Sequence, residues 1–106
     1  MKITDLLKPE GIKVGAQATS QMDAIDQLVA LQDASGNIND VAGYKEGILA
    51  REAEFSTAVG DGIAIPHAKV AAVSKPGLAA MTVPGGVDWN APDDQPADLM
   101  FMIAAP

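Results

Sequence analysis

The sequence predicts a single layered domain in which α-helices pack against a β-sheet, of the α/β or α+β class. Two segments with apolar residues at helical spacing come first, and three short apolar segments separated by glycine and proline follow them. Hydrophobic residues make up 48% of the 106-residue chain and charged residues 20%, a balance typical of a globular protein. We therefore expect residues 1–106 to fold as one domain.

The first helix is expected to begin at Ser20 and to end at residues 35–36. Residues 12–14 predict an edge strand ahead of it, and Ser20 with Asp23 three residues later is typical of a capped helix start. The apolar face of this helix consists of Met22, Ile25, Leu28, Val29 and Leu31.

A second helix is expected to begin at residue 39 or 40 and to close at residues 51–52. Gly43 and Gly47 lie inside it, and each costs about 1 kcal/mol relative to alanine. Close packing against a neighbouring element is the expected compensation. The apolar residues of this helix are Val41, Tyr44, Ile48 and Leu49.

Strands are expected at residues 63–65, 78–83 and 99–104. Pro84-Gly85-Gly86 is expected to break the second of them, and residues 90–96 predict a polar, proline-rich loop. The last strand is apolar at consecutive positions, so both of its faces need to be covered by other elements. Two helices are few for this purpose. We therefore expect either a fragment of a longer domain or an oligomer formed through the uncovered sheet face.

The composition excludes several classes of function. A formal net charge of −7 opposes binding to nucleic acid or to an anionic membrane surface, and the lack of cysteine excludes disulfides and thiolate metal sites. No segment approaches the ~20 apolar residues of a membrane helix, and the start of the chain does not resemble a signal peptide. We expect a cytoplasmic domain with no nucleic-acid partner and no direct membrane insertion.

The single histidine, His67, is the first candidate for chemistry. It follows a Gly60-Asp61-Gly62 turn and the apolar residues 63–65, and Pro66 stands directly before it. Proline fixes its own φ and restricts the preceding residue to extended geometry, so the backbone that presents this imidazole is stiff.

The chain carries a composite pattern of Ile-Leu-Ala-Arg-Glu at residues 48–52, Ser-Thr at residues 56–57 and Gly-Asp-Gly-Ile-Ala-Ile-Pro-His at residues 60–67. This pattern resembles the active-site signature of the fructose/mannitol-type enzyme IIA domain of the bacterial phosphoenolpyruvate:sugar phosphotransferase system. The likeness continues at residues 87–89 and 104–106, and so covers nearly the whole chain.

The resemblance implies a phosphocarrier. Members of this family receive a phosphoryl group from the phosphocarrier protein HPr on the histidine that corresponds to His67. They pass it to a cysteine of an enzyme IIB domain during uptake and phosphorylation of fructose or a related sugar. The family also implies a mixed β-sheet with helices on both faces. Because members continue past the position of Pro106, it further implies a chain that lacks C-terminal helices and a second histidine.

The residue types of the pattern suit phosphoryl transfer, which needs in-line positioning and stabilisation of negative charge. The resemblance suggests attack through Nε2 of His67, while the other ring nitrogen is expected to donate to a carbonyl or carboxylate. Arg51 is the candidate cation because its planar fork can bind two phosphate oxygens. Ser56 and Thr57 are candidate hydroxyl donors to phosphate. We expect no metal ion and no cofactor.

Structural interpretations of the same residues stay open. Arg51 could complement a helix dipole, and Ser56 and Thr57 could serve only as turn or cap residues. Glu52 is interpreted as an ion-pair partner, and Trp89 as a packing residue under the loop that follows residue 84.

Two other functions share the motif. One is a regulatory module whose His67 phosphorylation state controls binding to a protein partner. The other is a degenerate domain that no longer transfers phosphate. A IIB or membrane IIC domain in the same polypeptide would favour transport, whereas an adjoining DNA-binding region would favour regulation.

Overall fold

The computed structural model describes residues 2–106 and has a mixed β-sheet with helices packed on it. The elements in chain order are α1 (Ile3–Leu6), β1 (Ile12–Lys13), α2 (Gln21–Ala34), α3 (Val41–Glu54), β2 (Ala58–Gly60), β3 (Ile63–Ala64), β4 (His67–Lys69), β5 (Gly77–Val87) and β6 (Ala97–Ala105). No helix within these residues is long and apolar enough to cross a membrane.

Side-chain caps begin both long helices where the sequence predicts them. The Ser20 hydroxyl accepts from the backbone N–H of Asp23 at 3.0 Å, and the Asp23 carboxylate accepts from the N–H of Thr19 at 2.9 Å. The Asp40 carboxylate accepts from the N–H of Gly43 at 3.0 Å at the start of α3. The Ser20 and Asp40 bonds each satisfy a backbone donor that the first helical turn leaves without a partner, and the Asp23 bond holds Thr19 ahead of the helix.

The sheet has the strand order β1-β5-β6-β3-β2, with β4 also paired to β6. The long strands β5 and β6 run antiparallel, whereas β1 pairs parallel with β5, and both β3 and β4 pair parallel with β6. The predicted mixed sheet is therefore confirmed, and β1 lies at its edge as expected. Strand β6 occupies the centre and has the candidate histidine on a neighbouring strand.

The two long helices cover one face of the sheet. They contact each other, α2 packs on β5 and α3 packs on β4. Along β6, Met100, Met102 and Ala104 are buried, while Leu99 and Phe101 are half-buried and Ile103 is 37% exposed. Since neighbouring residues of a strand point to opposite faces, the second face of β6 is only partly covered. The resemblance implies helices on both faces of the sheet, whereas α2 and α3 both lie on the same face.

Gly47 allows α3 to approach the strand that begins at His67. A Cβ atom built on it would lie 2.9 Å from Cγ1 of Val70 and 3.3 Å from the Cβ of Ala68. The close packing expected of this helical glycine is therefore confirmed, and it fixes α3 directly over β4.

Strand β5 does not end at Pro84-Gly85-Gly86, so that expectation was wrong. It runs from Gly77 to Val87, with a register shift against β6 between Thr82 and Val87. A proline lacks an N–H and breaks a regular ladder, but within a shifted segment no regular donor is needed at its position.

Two further expectations fail at the periphery. Met22 was predicted to face the core and is 46% exposed, as is Val41 at the start of α3. The core-facing residues of α2 instead include Ala24 and the buried polar Gln32.

The sequence also did not predict β2 and β4, which are three residues long each.

Buried polar side chains tie the helices to β6. The amide of Gln32 donates to the Met102 carbonyl oxygen at 3.0 Å, and the Tyr44 hydroxyl donates to the Ile103 carbonyl oxygen at 2.9 Å. Burial raises the pKa of Tyr44, whose hydroxyl therefore stays protonated as a donor. These bonds fix the central strand that supports β4.

Candidate functional site

The four residues predicted for the site line one cleft. It has a volume of about 290 Å³ and is lined by Arg51, Ser56, Thr57, Val59, Ile65, His67 and Ile103. The end of α3, the segment that follows it, β4 and β6 all contribute. The structure thus brings together four candidate residues that are up to 16 positions apart in the sequence.

A second, larger cleft of about 640 Å³ shares two of these residues. Arg51 and His67 border both clefts, and Glu54, Lys69 and Val70 are among the other residues that line the larger one. His67 and Arg51 therefore stand at the junction of two open surfaces, where a second protein has access to both side chains.

His67 is the first residue of β4, which runs parallel to β6 with His67 opposite Ile103. Its Nδ1 lies 2.8 Å from the Ile65 carbonyl oxygen. A carbonyl can only accept, so Nδ1 carries the proton and donates, and the lone pair of a neutral ring lies on Nε2. This bond supplies the acceptor that the sequence left unidentified.

The backbone around the histidine is held on both sides. The Ile65 N–H donates to the Thr57 carbonyl oxygen at 3.0 Å, and the Ile103 N–H donates to the Pro66 carbonyl oxygen at 2.9 Å. Pro66 is itself buried. The carbonyl that orients the imidazole is therefore part of a fixed peptide rather than of a free loop.

The Asp61-Gly62 turn ahead of β3 is held by Asp93, which lies in the loop between β5 and β6. Asp61 has φ +56° and Gly62 has φ +79°, and the Asp61 N–H donates to the Asp93 carboxylate at 3.0 Å. Hydrogen bonds from the backbone N–H groups of Asp61 and Gln95 lower the pKa of Asp93. The Asp93 side chain thus holds the turn by accepting from its backbone.

Arg51 lies in the last turn of α3 and lines both clefts. Its Nη1 donates to the Phe55 carbonyl oxygen at 2.8 Å, so it also caps the carboxyl end of the helix. A guanidinium has five N–H donors, and one bond of this kind leaves others to bind oxygen atoms in the cleft. The geometry accommodates both the structural and the phosphate-binding interpretation.

The hydroxyl of Ser56 is engaged with the surrounding backbone. It donates to the Trp89 carbonyl oxygen at 2.5 Å and accepts from the Ala58 N–H at 3.1 Å. In this arrangement its single proton is committed to the fold, although the residue lines the cleft.

Thr57 is 5% exposed and forms hydrogen bonds with two neighbours. Its hydroxyl donates to the carboxylate of Glu52 and accepts from the indole N–H of Trp89 at 3.2 Å. The same indole N–H lies 3.3 Å from Glu52, and the Thr57 N–H donates to Glu52 at 3.3 Å. To donate to a phosphoryl oxygen, the Thr57 hydroxyl would first have to leave Glu52.

The interpretation of Glu52 as an ion-pair partner was wrong. Among residues 2–106 the salt bridge present joins Lys45 to Asp26, and the partners of Glu52 are neutral donors. Only the tryptophan could have pointed to this network from the sequence. A buried tryptophan needs an acceptor for its N–H, and Trp89 is 1% exposed.

The rim of the site is apolar and exposed. Val59 is 58% exposed and Ile103 is 37% exposed, and both line the cleft with His67; Phe55, which precedes Ser56 in the chain, is 77% exposed. Exposed apolar side chains grouped around a polar centre are typical of surfaces that bind other proteins.

Comparison with known proteins identifies the family. Residues 5–106 match the family model described as "Phosphoenolpyruvate-dependent sugar phosphotransferase system, EIIA 2". The chain is 48% identical over 105 residues to the fructose-specific EIIABC component of Bacillus subtilis, which covers 99% of this chain and 16% of that protein. It is 40% identical over 109 residues to the fructose-specific EIIA component of Haloferax volcanii, with 100% of this chain and 71% of that protein covered. The chain therefore spans less than a fifth of the first of these relatives.

Solved structures agree with this result. The nitrogen regulatory protein IIA-Ntr from Neisseria meningitidis superimposes with a TM-score of 0.89 at 28% identity, covering 98% of this chain and 70% of that one. IIA mannitol from Escherichia coli has a TM-score of 0.81 at 31% identity, covering 92% and 70%. A complex of IIA mannitol with phosphorylated IIB mannitol, also from Escherichia coli, gives 0.81 at 30%, covering 94% and 72%. The chain belongs to the EIIA 2 family, the phosphotransferase components of the phosphoenolpyruvate-dependent sugar phosphotransferase system.

Proposed function

We propose that residues 1–106 act in the cytoplasm as an EIIA phosphocarrier domain. His67 accepts a phosphoryl group from phospho-HPr and passes it to a cysteine of an enzyme IIB domain, during uptake and phosphorylation of fructose or a related sugar. The observation that carries this proposal is the hydrogen bond from His67 Nδ1 to the Ile65 carbonyl oxygen, because it leaves the Nε2 lone pair for attack at the junction of two open clefts.

Each step of the proposed transfer breaks one bond to phosphorus and forms another. The Nε2 lone pair of His67 forms a new P–N bond, the P–N bond of the phosphorylated donor breaks, and the donor imidazole keeps the electron pair. In the second step a IIB thiolate attacks phosphorus, a P–S bond forms and His67 recovers its lone pair. Arg51 binds the phosphoryl oxygens as negative charge spreads over them.

The site surface supports an encounter with protein partners rather than with a small substrate. The exposed apolar side chains of Val59 and Ile103 offer a docking surface beside His67, and Val70 extends it along the larger cleft. The net charge of −7 favours a partner that presents cations around its own reacting group. Fructose as the transported sugar is supported by the names of the relatives from Bacillus subtilis and Haloferax volcanii.

Transfer to a IIB domain is the direct test. The chain, phosphorylated through phosphoenolpyruvate, enzyme I and HPr, is mixed with a fructose-type IIB domain and with the variant of that domain lacking its active-site cysteine. Intact masses of both proteins are then followed over time. We expect the phosphoryl group to move to the parent IIB and to stay on this chain when the cysteine is absent. A phosphoryl group that stays on the chain in both mixtures contradicts the transport function.

A regulatory role is the second candidate. The chain is 36% identical over 106 residues to the nitrogen regulatory protein of Bradyrhizobium diazoefficiens, with 100% of this chain and 69% of that protein covered. A regulatory domain would use the same phosphohistidine to change its affinity for a protein partner. Stable phosphorylation of His67 without transfer to IIB would favour this role.

A further inference from the structure

A continuous set of hydrogen bonds joins Glu52 to the imidazole of His67. The Glu52 carboxylate accepts from the hydroxyl and from the backbone N–H of Thr57. The Thr57 carbonyl oxygen accepts from the Ile65 N–H at 3.0 Å. The Ile65 carbonyl oxygen in turn accepts from Nδ1–H of His67 at 2.8 Å. The carboxylate at the far end of this set belongs to α3, so the set connects the helix to the histidine.

The last bond of this set matters for the chemistry of the ring. When the Nε2 lone pair forms a bond to phosphorus, positive charge develops on the imidazole and the Nδ1–H becomes a stronger donor. A carbonyl oxygen held at Nδ1 stabilises that charge and keeps Nε2 aimed outward. If the Ile65 peptide were free to rotate, the ring could instead place its proton on Nε2, where it would block attack.

We propose that Glu52 is a positioning residue for His67, acting through Thr57 and the Ile65 peptide to hold the imidazole in the Nδ1–H tautomer. The importance of this tautomer for phosphoryl transfer rests on the function proposed above. Trp89 takes part as well, since it is 1% exposed and its indole N–H points at both Glu52 and Thr57. Glu52, Thr57, Trp89 and the Ile65 peptide are called the assembly below.

The hydrogen-bond partners of Glu52 require acceptors at both oxygens of its side chain. One carboxylate oxygen faces two donors, the Thr57 hydroxyl and the Trp89 indole N–H. The other faces the Thr57 backbone N–H and the Gln21 amide, each at 3.3 Å. A carboxylate has only acceptors, so it suits both pairs, whereas an amide must turn its NH₂ group toward one of them. Glu52→Gln therefore opposes donor to donor with almost no change in shape.

The chain allows this to be tested with a single signal, because it holds one histidine and one tryptophan. Nitrogen-15 NMR of the imidazole distinguishes the two tautomers once the ring is neutral, and the indole N–H gives one separate resonance. The parent, Glu52→Gln and Glu46→Gln are compared. Glu46 lies on the same helix and is exposed, so its variant carries the same change of charge without touching the assembly.

We expect the parent and Glu46→Gln to hold the Nδ1–H tautomer alone. Glu52→Gln should show a mixture of tautomers and a displaced indole N–H resonance while retaining the backbone spectrum of a folded domain. A folded Glu52→Gln that keeps the parent's tautomer overturns the proposal. A tautomer mixture in Glu46→Gln as well overturns it too, because the effect would then follow charge and not position.

Thr57→Val decides the question if Glu52→Gln does not fold. Valine keeps the shape of threonine and removes the hydroxyl between Glu52 and Trp89, so the same loss of a single tautomer is expected, and its absence overturns the proposal.

Phosphorylation of His67 by phospho-HPr is measured in parallel, and we expect Glu52→Gln to be slower than the parent by about tenfold or more. If the parent itself accepts no phosphoryl group, the proposed function fails while the tautomer result still decides the role of Glu52.

Discussion

Replacing Arg51 with Met separates the two roles that the structure allows this side chain. The variant loses the hydrogen bond from Nη1 to the Phe55 carbonyl oxygen, 2.8 Å long and exposed, which costs about 0.5–1.5 kcal/mol of stability. It also loses the charged donors that face the cleft beside His67. Removing one such donor from a transition state costs about 3–4 kcal/mol, which corresponds to a rate lower by roughly 10²–10³-fold.

The assay compares transfer with folding in the same protein. Rapid mixing with phospho-HPr, followed by acid-free quenching and intact mass, gives the rate of His67 phosphorylation for the parent, Arg51→Met and Arg51→Lys. Urea unfolding gives the free energy of unfolding of each. Lysine keeps the charge without the planar fork, so we expect its rate to fall between the other two.

The two interpretations of Arg51 predict different combinations of results. If it binds phosphate, the rate falls by far more than the loss of stability explains. A folded Arg51→Met that accepts the phosphoryl group as fast as the parent, with only its unfolding free energy reduced, would refute the phosphate role and leave the helix cap alone.

Three further predictions concern the framework. Tyr44→Phe removes the buried hydrogen bond to the Ile103 carbonyl oxygen and should cost about 1 kcal/mol, seen in calorimetry as a melting temperature lower by roughly 5 °C; an unchanged melting temperature contradicts this. Gly62→Ala should cost about 1–2 kcal/mol in urea unfolding because φ is +79° and the added Cβ would lie 2.6 Å from Oδ1 of Asp98, whereas Gly85→Ala, whose added Cβ meets no atom within 4 Å, should be nearly neutral; equal effects argue against both causes. A backbone N–H holds the pKa of Asp23 below its ordinary value of 3.8, so its stabilisation is present above that pH and is lost as the pH falls through the folded-state pKa. Asp23→Asn should therefore flatten the acid side of the melting profile, and an acid side as steep as the parent's would count against the cap.

The elements that depend on local chemistry were predictable from the sequence. Ser20 and Asp40 cap the two long helices because short polar side chains accept from the N–H groups of the first turn. Gly47 marks the approach of α3 to the sheet, since a helical glycine loses stability unless close packing compensates. In these cases the cause lies within a few residues of its effect.

Features that depend on pairing between distant segments were not predictable. Strand β4 is three residues long and exists because β6 lies beside it, which no local pattern around His67 reveals. Pro84 continues β5 because a register shift against β6 removes the need for its N–H. Met22 has a helical position that suits the core, but α2 has more apolar positions than the sheet covers.

The sequence predicted which residues line the site better than it predicted their hydrogen bonds. His67, Arg51, Ser56 and Thr57 line one cleft, as the composite motif suggested, and their phosphate-binding roles stay predictions. The hydrogen-bond network of Thr57, Glu52 and Trp89 could not be predicted in full, because Trp89 lies 32 positions from Thr57 in the chain.

The most direct test of the proposed function is whether the chain accepts one phosphoryl group on Nε2 of His67. The chain and His67→Ala are incubated with phosphoenolpyruvate, enzyme I and HPr, and the intact mass of each is measured. We predict the mass of one phosphoryl group on the parent, with NMR placing it on Nε2, and none on the variant. A folded parent that gains no phosphoryl group, or a variant that gains one, would contradict the account of His67 as the phosphocarrier.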